Sequence, residues 1–432
     1  MPKYLSSGSQ VCIIGGGPAG SLAALHLLAL AKRQNLGLNV FIFEPRDFTR
    51  PGPGGCNRCA GILSSRLLRG LTTLGIHLPR EVIQAEINSY ALFIDGDRLL
   101  IAPPSPKHRI VSIYRGGGPR LFRGERPPAS FDGFLLGQAE AAGATRIPNR
   151  VHKVSWDGRP VAHTVHDQYP ADLLVLATGI NSRPPLDPDF GYRAPQTAVM
   201  AQDEILRPAA WPADQVRAFF QTPPGLTFGA LIPKGDYLNI SLLGKGFTRD
   251  TIDDFIELQG LKEKLTFQPG ESNLCGCTPR IAVGAAGHYY GDRWVAVGDA
   301  AVTRLYKDGI GSAFYTAQAA MTTAVTRGIS RRHFQHTYAP ATRRIHRDNQ
   351  YGRLLFRLWQ FTLRRPTLLH AWVNAIRLEK DYPASKHLHT RILWGMFTGD
   401  EWYRDIFRLS ISPAASISLL RGWQAAHRKR KA

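Results

Sequence analysis

The chain predicts an α/β fold: a nucleotide-binding domain with a β-rich insertion and a helical C-terminal region. Three observations lead there. A short apolar strand near the start runs through a glycine turn into an Ala/Leu-rich helix. Two further buried strands, near residues 172 and 294, also run into small-residue turns. Beyond residue 331 the sequence turns basic, aromatic and helical in spacing. At 432 residues, 44% hydrophobic, the chain can bury a large core and divide into two or three domains. No apolar run approaches the roughly 18 residues of a membrane span. The first residues lack a signal-peptide core, and five cysteines in so long a chain make no disulfide framework. Both features lead to the expectation of a cytoplasmic protein, with peripheral attachment to the cytoplasmic membrane face left open.

The first element carries the most information. Val11 to Ile14 are four apolar residues, too short for a helix and suited to a strand buried on both faces. Gly15, Gly17 and Gly20 follow at G-x-G-x-x-G spacing, with Pro18 and Ala19 between them. Gly15 permits a tight turn, Gly17 lets backbone approach a pyrophosphate, and Gly20 lets helix and strand pack closely. The helix N-terminus then offers unpaired N–H groups to phosphate. A second strand, Asn39–Glu44, ends in a carboxylate 24 residues past Gly20, where a ribose hydroxyl needs an acceptor. Pro45 and Arg46 continue this edge. Together these features predict a dinucleotide site.

The remaining elements follow in order. A Gly/Pro-rich loop spans Arg50–Ser64, and Ser65–Leu74 has helical spacing. Strand-like pieces are expected at Ile87–Ile94, Leu99–Ala102 and Ile110–Tyr114, and a helix from Ser130 to near Gly143. Asp172–Gly179 reads as a buried strand and turn. Strands are expected at Ala194–Ala201, Val216–Gln221, Thr227–Ile232 and Tyr237–Leu243, then a helix over Asp250–Leu265. Arg293–Ala301 gives the third strand-to-glycine turn, and Gly311–Arg327 is Ala-rich and helical. The expected division places a discontinuous nucleotide domain at 1–85, 132–185 and 286–330. The β-rich substrate domain takes 86–131 and 186–285, and a basic helical region takes 331–432.

The recurrence of Val295-Ala-Val-Gly-Asp-Ala-Ala301 some 280 residues after the first glycine turn implies a second contact with one ligand. This combination resembles the FAD-dependent oxidoreductases of the glutathione-reductase-like nucleotide fold. More narrowly, residues 10–330 resemble the geranylgeranyl reductases and their aromatic-hydroxylase and halogenase relatives. The resemblance implies FAD as cofactor. It sets the carboxylate of Gly298-Asp299 on the ribityl chain and brings the helix after Gly309, Ile310 and Gly311 to the pyrimidine edge of the flavin. A helix N-terminus there would stabilise an anionic reduced flavin. Ala177-Thr178-Gly179 and Phe131-Asp132-x-x-Leu135 match two further family stretches. The arginine usually found three residues before that Phe is Pro128 here. Arg115, Arg123 and Arg126 are nearby substitutes, with Arg115 either reaching the flavin edge or solvated on a loop. No second dinucleotide-binding unit is visible, so electrons are expected from transient NAD(P)H, a ferredoxin or a quinol.

Arg58–Ser64 resembles the family's cysteine stretch, which implies that Cys59 lies near the active site. Thr227–Gly235 resembles a segment lining the substrate cavity. The aromatic positions of that segment are Phe228, Ala230 and Ile232 here, and the usual proline after Gly-Asp-Ala-Ala is Tyr306. The resemblance implies hydride transfer from flavin N5 to an isoprenoid or lipid-like alkene. The alternatives are a flavin monooxygenase or halogenase, or a membrane-associated electron carrier or binding protein without turnover. A Trp-x-Trp-x-x-Ile halogenase motif is absent. Cys56, Cys59, Cys275 and Cys277 form two close pairs, open to a metal tetrad, to a redox or catalytic role for Cys59, or to plain packing.

The chain carries 54 basic and 33 acidic residues, a net +21. Of this excess, +14 (20 Lys/Arg against 6 Asp/Glu) lies from Arg331 onward, with five of the eight Trp. Two readings are open: a helical cap lying on anionic lipid, and an ordinary helical domain with a solvated basic face. Nucleic-acid binding is not expected, since no recognised motif accompanies the charge.

Overall fold

The computed structural model describes residues 4–50, 59–119, 129–220, 225–247, 250–265 and 278–431, the last four by backbone alone. The nucleotide sheet has six strands in the order Tyr290–Gly291, Trp294–Ala296, Leu173–Leu176, Gln10–Ile14, Asn39–Phe43 and Thr145–Ile147. Its first two strands form an antiparallel hairpin, and the other pairings are parallel. Val11, Cys12, Ile13 and Leu173 to Leu176 are fully buried, as a parallel sheet covered on both faces requires. The Pro18–Arg33 helix crosses one face and packs on the helices Phe131–Ala141 and Gly309–Thr326. An Ala-rich seam, with Ala23, Ala24, Ala317 and Ala320 all buried, lets these helices approach closely.

The insertion is a seven-stranded sheet in the order Arg280–Ala282, Thr197–Leu206, Tyr237–Gly244, Leu226–Lys234, Gln215–Phe219, Ser89–Ile94 and Asp97–Ile101. One of its faces packs against the C-terminal helices. Phe228, Ala230 and Ile232 share a core with Leu355, Phe356, Trp359, Trp394 and Phe397. Phe356, Trp359, Trp394 and Phe397 of the basic region are therefore core residues that close the sheet. Two three-stranded sheets complete the fold, one of Ile62–Leu63, Ile110–Ile113 and Ile83–Ile87, the other of Lys153–Trp156, Pro160–His163 and Gln168–Pro170.

Several expected boundaries move, each for a local reason. The strand expected at Ile87–Ile94 is two strands broken at Asn88, whose N–H leaves the ladder for the Asp214 carbonyl at 2.8 Å. The helix expected over Asp250–Leu265 ends at Leu258, before Gly260 turns the chain at φ +58°. Within the basic region, expected to be helical, one long helix runs from Ala339 to Leu363, and an Arg-rich outer face hides the period of its first twelve residues. Pro366 follows its end and starts the next helix (Pro366–Glu379) from its first turn, where its missing N–H costs nothing.

Candidate functional site

The two glycine turns expected to share one ligand lie against each other. Gly15, at φ +105°, packs on the end of the neighbouring strand: a methyl there would come within 2.6 Å of the Ala177 carbonyl oxygen. A methyl on Gly20 would approach the Gly15 carbonyl oxygen to 1.8 Å. Gly17 is different: its φ is −67°, and an added methyl would make only ordinary contacts, with Arg115 Nη2 at 3.5 Å and Asp132 Oδ2 at 3.7 Å. From the far end of the sequence, Gly298, at φ +62°, sits on Ala19, where an added methyl would meet the Ala19 Cβ at 2.7 Å. Only three residues separate Gly15 from Ala19, so the first-turn backbone and Gly298-Asp299 form one locus.

Charge converges on that locus. Arg115 makes a two-pronged ion pair with Asp132, Nε–Oδ1 3.0 Å and Nη2–Oδ2 2.7 Å. Asp132 is fully buried at the start of the Phe131–Ala141 helix, which Ser130 caps through the Gly133 N–H while donating to the Arg115 carbonyl. Arg115 therefore has a fixed seat rather than a loose loop position. Its field reaches Cys59 and Asp299 as well. Burial raises the carboxyl of Asp299 above its ordinary value, against the pull of Arg115 and Thr303. A methyl on Gly309 would lie 3.7 Å from Asp299 Oδ1, so the Gly309–Thr326 helix begins beside that carboxylate, with Ile310 buried behind it.

At the other end of the first turn, Glu44 is buried. Its carboxylate accepts the Gly16 N–H at 3.0 Å and the Arg46 N–H at 3.0 Å, and pairs with the Arg46 guanidinium. Pro45 lies between the two and is exposed. Gly179, at φ +67°, opens onto free space. The preceding Thr178 holds a buried Oγ1 with no partner among the described residues.

Sequence reasoning missed several residues here. Lys234, 2% exposed, pairs with Glu204 at 3.1 Å and donates to the Cys59 carbonyl at 2.7 Å. It also stands 4.8 Å from the Tyr114 ring. Half-buried Cys59 accepts the Gly61 N–H at 3.3 Å, so its segment is held from both sides. Ser64 donates to Asp308 at 2.8 Å and caps the Ser65–Thr73 helix, linking that segment to the second turn. Arg304, 1% exposed, pairs with Asp308 and Asp348 and donates to the Gly399 and Glu401 carbonyls. It thereby ties the turn to the C-terminal helices. The available signal was a run of charge between two apolar elements, Arg304 to Asp308.

Lys307 lies inside that run. Its neighbours Tyr306 (φ +62°) and Asp308 (φ +54°) are both left-handed, which is rare for such side chains and aims Lys307 inward. Its ammonium lies 4.7 Å from the centre of the Phe228 ring. Burial lowers its pKa to about 8, and no carboxylate pairs with it among the described residues. Tyr306 takes a backbone conformation closed to proline, and its ring meets Phe356 edge-on at 5.3 Å. Phe228, Ala230, Ile232 and Tyr306 thus gather around one apolar cluster. Cys56, Cys275, Cys277, Arg123, Arg126 and Pro128 lie outside the described residues.

No family model matches the chain, and no curated protein matches it. Solved structures do. A geranylgeranyl bacteriochlorophyll reductase-like protein of Thermoplasma acidophilum superposes with a TM-score of 0.59 at 16% identity, over 97% of this chain and 96% of that one. The fold is shared with flavin enzymes. A flavoprotein/dehydrogenase of Cytophaga hutchinsonii gives a TM-score of 0.61 at 15% identity, covering 95% and 98%. A flavin-dependent brominase gives 0.55 at 16%, covering 94% and 98%. Identities this low establish the α/β architecture with its mixed sheets and helical C-terminal region, which spans nearly the whole length of each.

Proposed function

We propose that the chain is an FAD-dependent oxidoreductase that reduces a C=C bond of a hydrophobic, isoprenoid or lipid-like substrate, with electrons from an external donor. The observation that carries this reading is the contact of Gly298 with Ala19, which joins two turns 280 residues apart into one cradle. The residues present fit FAD. Gly17 puts no side chain in front of the helix N-terminus, where backbone N–H groups can meet a pyrophosphate. Glu44 would face the ribose, and Asp299 and the start of the Gly309 helix would face the opposite end. Bound FAD would supply the hydride chemistry that none of the twenty side chains provides.

The protein's own groups have distinct tasks in this reading. Asp132 fixes Arg115 beside Gly17, so a cation faces the cradle without reorganisation. Lys234 and Glu204 hold the Cys59 backbone near Arg115. The apolar cluster around Phe228 and Ile232 excludes water and suits an alkene acceptor. Lys307 Nζ, beside Phe228, is the candidate to protonate the carbon next to the one reduced.

Two measurements test this. The purified chain should be yellow and release FAD on denaturation, identified by mass spectrometry. Photoreduced protein mixed anaerobically with polyprenyl alkenes should then be reoxidised. Reoxidation that needs both oxygen and substrate would replace the reductase with a monooxygenase, to which the brominase fold likeness lends support. A colourless protein that takes up no FAD would end both readings.

A further inference from the structure

The Ala339–Leu363 helix has two unlike faces. Its inner face, with Leu355, Phe356 and Trp359, closes the core beneath the seven-stranded sheet. Its outer face carries Tyr351, Leu354, Leu358 and Phe361, spaced three, four and three residues apart and hence in one line. Leu354 is 40% exposed, Leu358 45% and Phe361 52%. Single exposed apolar side chains are ordinary on a protein surface, but a continuous line of them is not.

The charge around this line has one sign. Arg343, Arg344 and Arg347 precede it, Arg357 interrupts it, and Arg364 and Arg365 follow it, all six exposed. None of the six makes an ion pair among the described residues. The helix has one carboxylate, Asp348, and it is turned inward to accept the Tyr403 and Arg404 N–H groups and pair with Arg304. The closing helix, Pro413–Lys431, repeats the composition: Ile417, Leu420 and Trp423 are exposed, and no Asp or Glu occurs after Asp405. A solvated basic face would not need exposed Leu and Phe, and a protein-binding groove would not need six arginines without a carboxylate partner among the described residues. Apolar side chains flanked by arginines without carboxylates complement the interface of an anionic bilayer, where the rings and Leu enter the acyl boundary and the guanidinium groups meet lipid phosphate.

We propose that the outer face of Ala339–Leu363 docks the protein peripherally on an anionic lipid surface. This inference is independent of the flavin chemistry. In the test, the full-length flavin-loaded protein is sedimented with phosphatidylserine/phosphatidylcholine vesicles and with phosphatidylcholine alone, at low and high salt. Expected are binding to the anionic vesicles only, partial loss at high salt, and at least a tenfold drop in partitioning for Arg357→Gln/Arg364→Gln/Arg365→Gln. A second variant, Leu354→Gln/Leu358→Gln/Phe361→Gln, should lose the salt-resistant part while keeping its flavin absorbance, because these side chains support no core. The proposal is overturned if anionic vesicles fail to sediment the protein, or if neither variant changes partitioning. It is also overturned if the Leu/Phe variant instead abolishes self-association in solution, or if duplex nucleic acid is bound while vesicles are not.

Discussion

Acid should loosen the contact that holds the two glycine turns together, and His26 is the reason. His26 lies on the Pro18–Arg33 helix, 4% exposed, with its ring 4.7 Å from Phe314 of the Gly309–Thr326 helix and its Nε2 buried without a partner. Burial lowers its pKa from 6.5 to about 4. The unfolded chain binds a proton near 6.5 while the folded chain refuses it until about 4, so between these values the unfolded state holds more protons. Stability contributed by neutral His26 is complete above pH 6.5, falls as pH drops through the window, and is fully lost below about 4. The shift of about 2.5 units (6.5 minus 4), at ~1.36 kcal/mol per unit, corresponds to about 3 kcal/mol. The assay is urea unfolding from pH 7 down to about 4, for the parent and His26→Leu, read by circular dichroism and by flavin fluorescence on release. Carboxylate titrations are common to both proteins and cancel in the difference. His26→Leu should gain about 3 kcal/mol relative to the parent across that range, and flavin should be retained to lower pH. A difference that stays constant with pH would show that His26 is not held neutral and would refute the reasoning.

The remaining predictions concern the cradle itself. Gly17→Ala has room and an allowed backbone, so apo stability should change by less than about 0.5 kcal/mol while FAD affinity falls; isothermal titration of apoprotein measures this. Gly20→Ala collides with the Gly15 carbonyl and should cost about 3 kcal/mol even without flavin, seen in apoprotein denaturation curves. Asp132→Ala leaves the Arg115 guanidinium, about one quarter exposed, without its partner and should cost about 3 kcal/mol, part of which Arg115→Ala in the same chain restores. If Lys307 Nζ donates a proton, kcat/KM for alkene-dependent reoxidation should decline above about pH 8, where the ammonium is lost, and Lys307→Met should lack that limb of the profile.

Much of the fold was legible because it is local. Val11–Ile14, the spacing of Gly15, Gly17 and Gly20, and the apolar run after them specify strand, turn and helix within a few residues. The strands expected at Asn39–Glu44 and within Asp172–Gly179 are found at Asn39–Phe43 and Leu173–Leu176 for the same reason. Boundaries failed where the deciding contact is distant, as at Asn88, whose N–H goes to Asp214, or where an arginine face masks the period, as over Ala339–Gln350.

By itself, the sequence determined the class of fold, the order of its elements and the two turns that chemistry would use, since backbone geometry and hydrophobic period are written in neighbouring residues. Tertiary structure alone decided what those turns face. It seated Arg115 on Asp132 beside Gly17, tied Cys59 to Lys234, set half-buried Lys307 against Phe228, and left one line of Leu and Phe among arginines with no ion pair among the described residues. Burial and charge pairing arise between residues tens to hundreds of positions apart, and no local pattern encodes them.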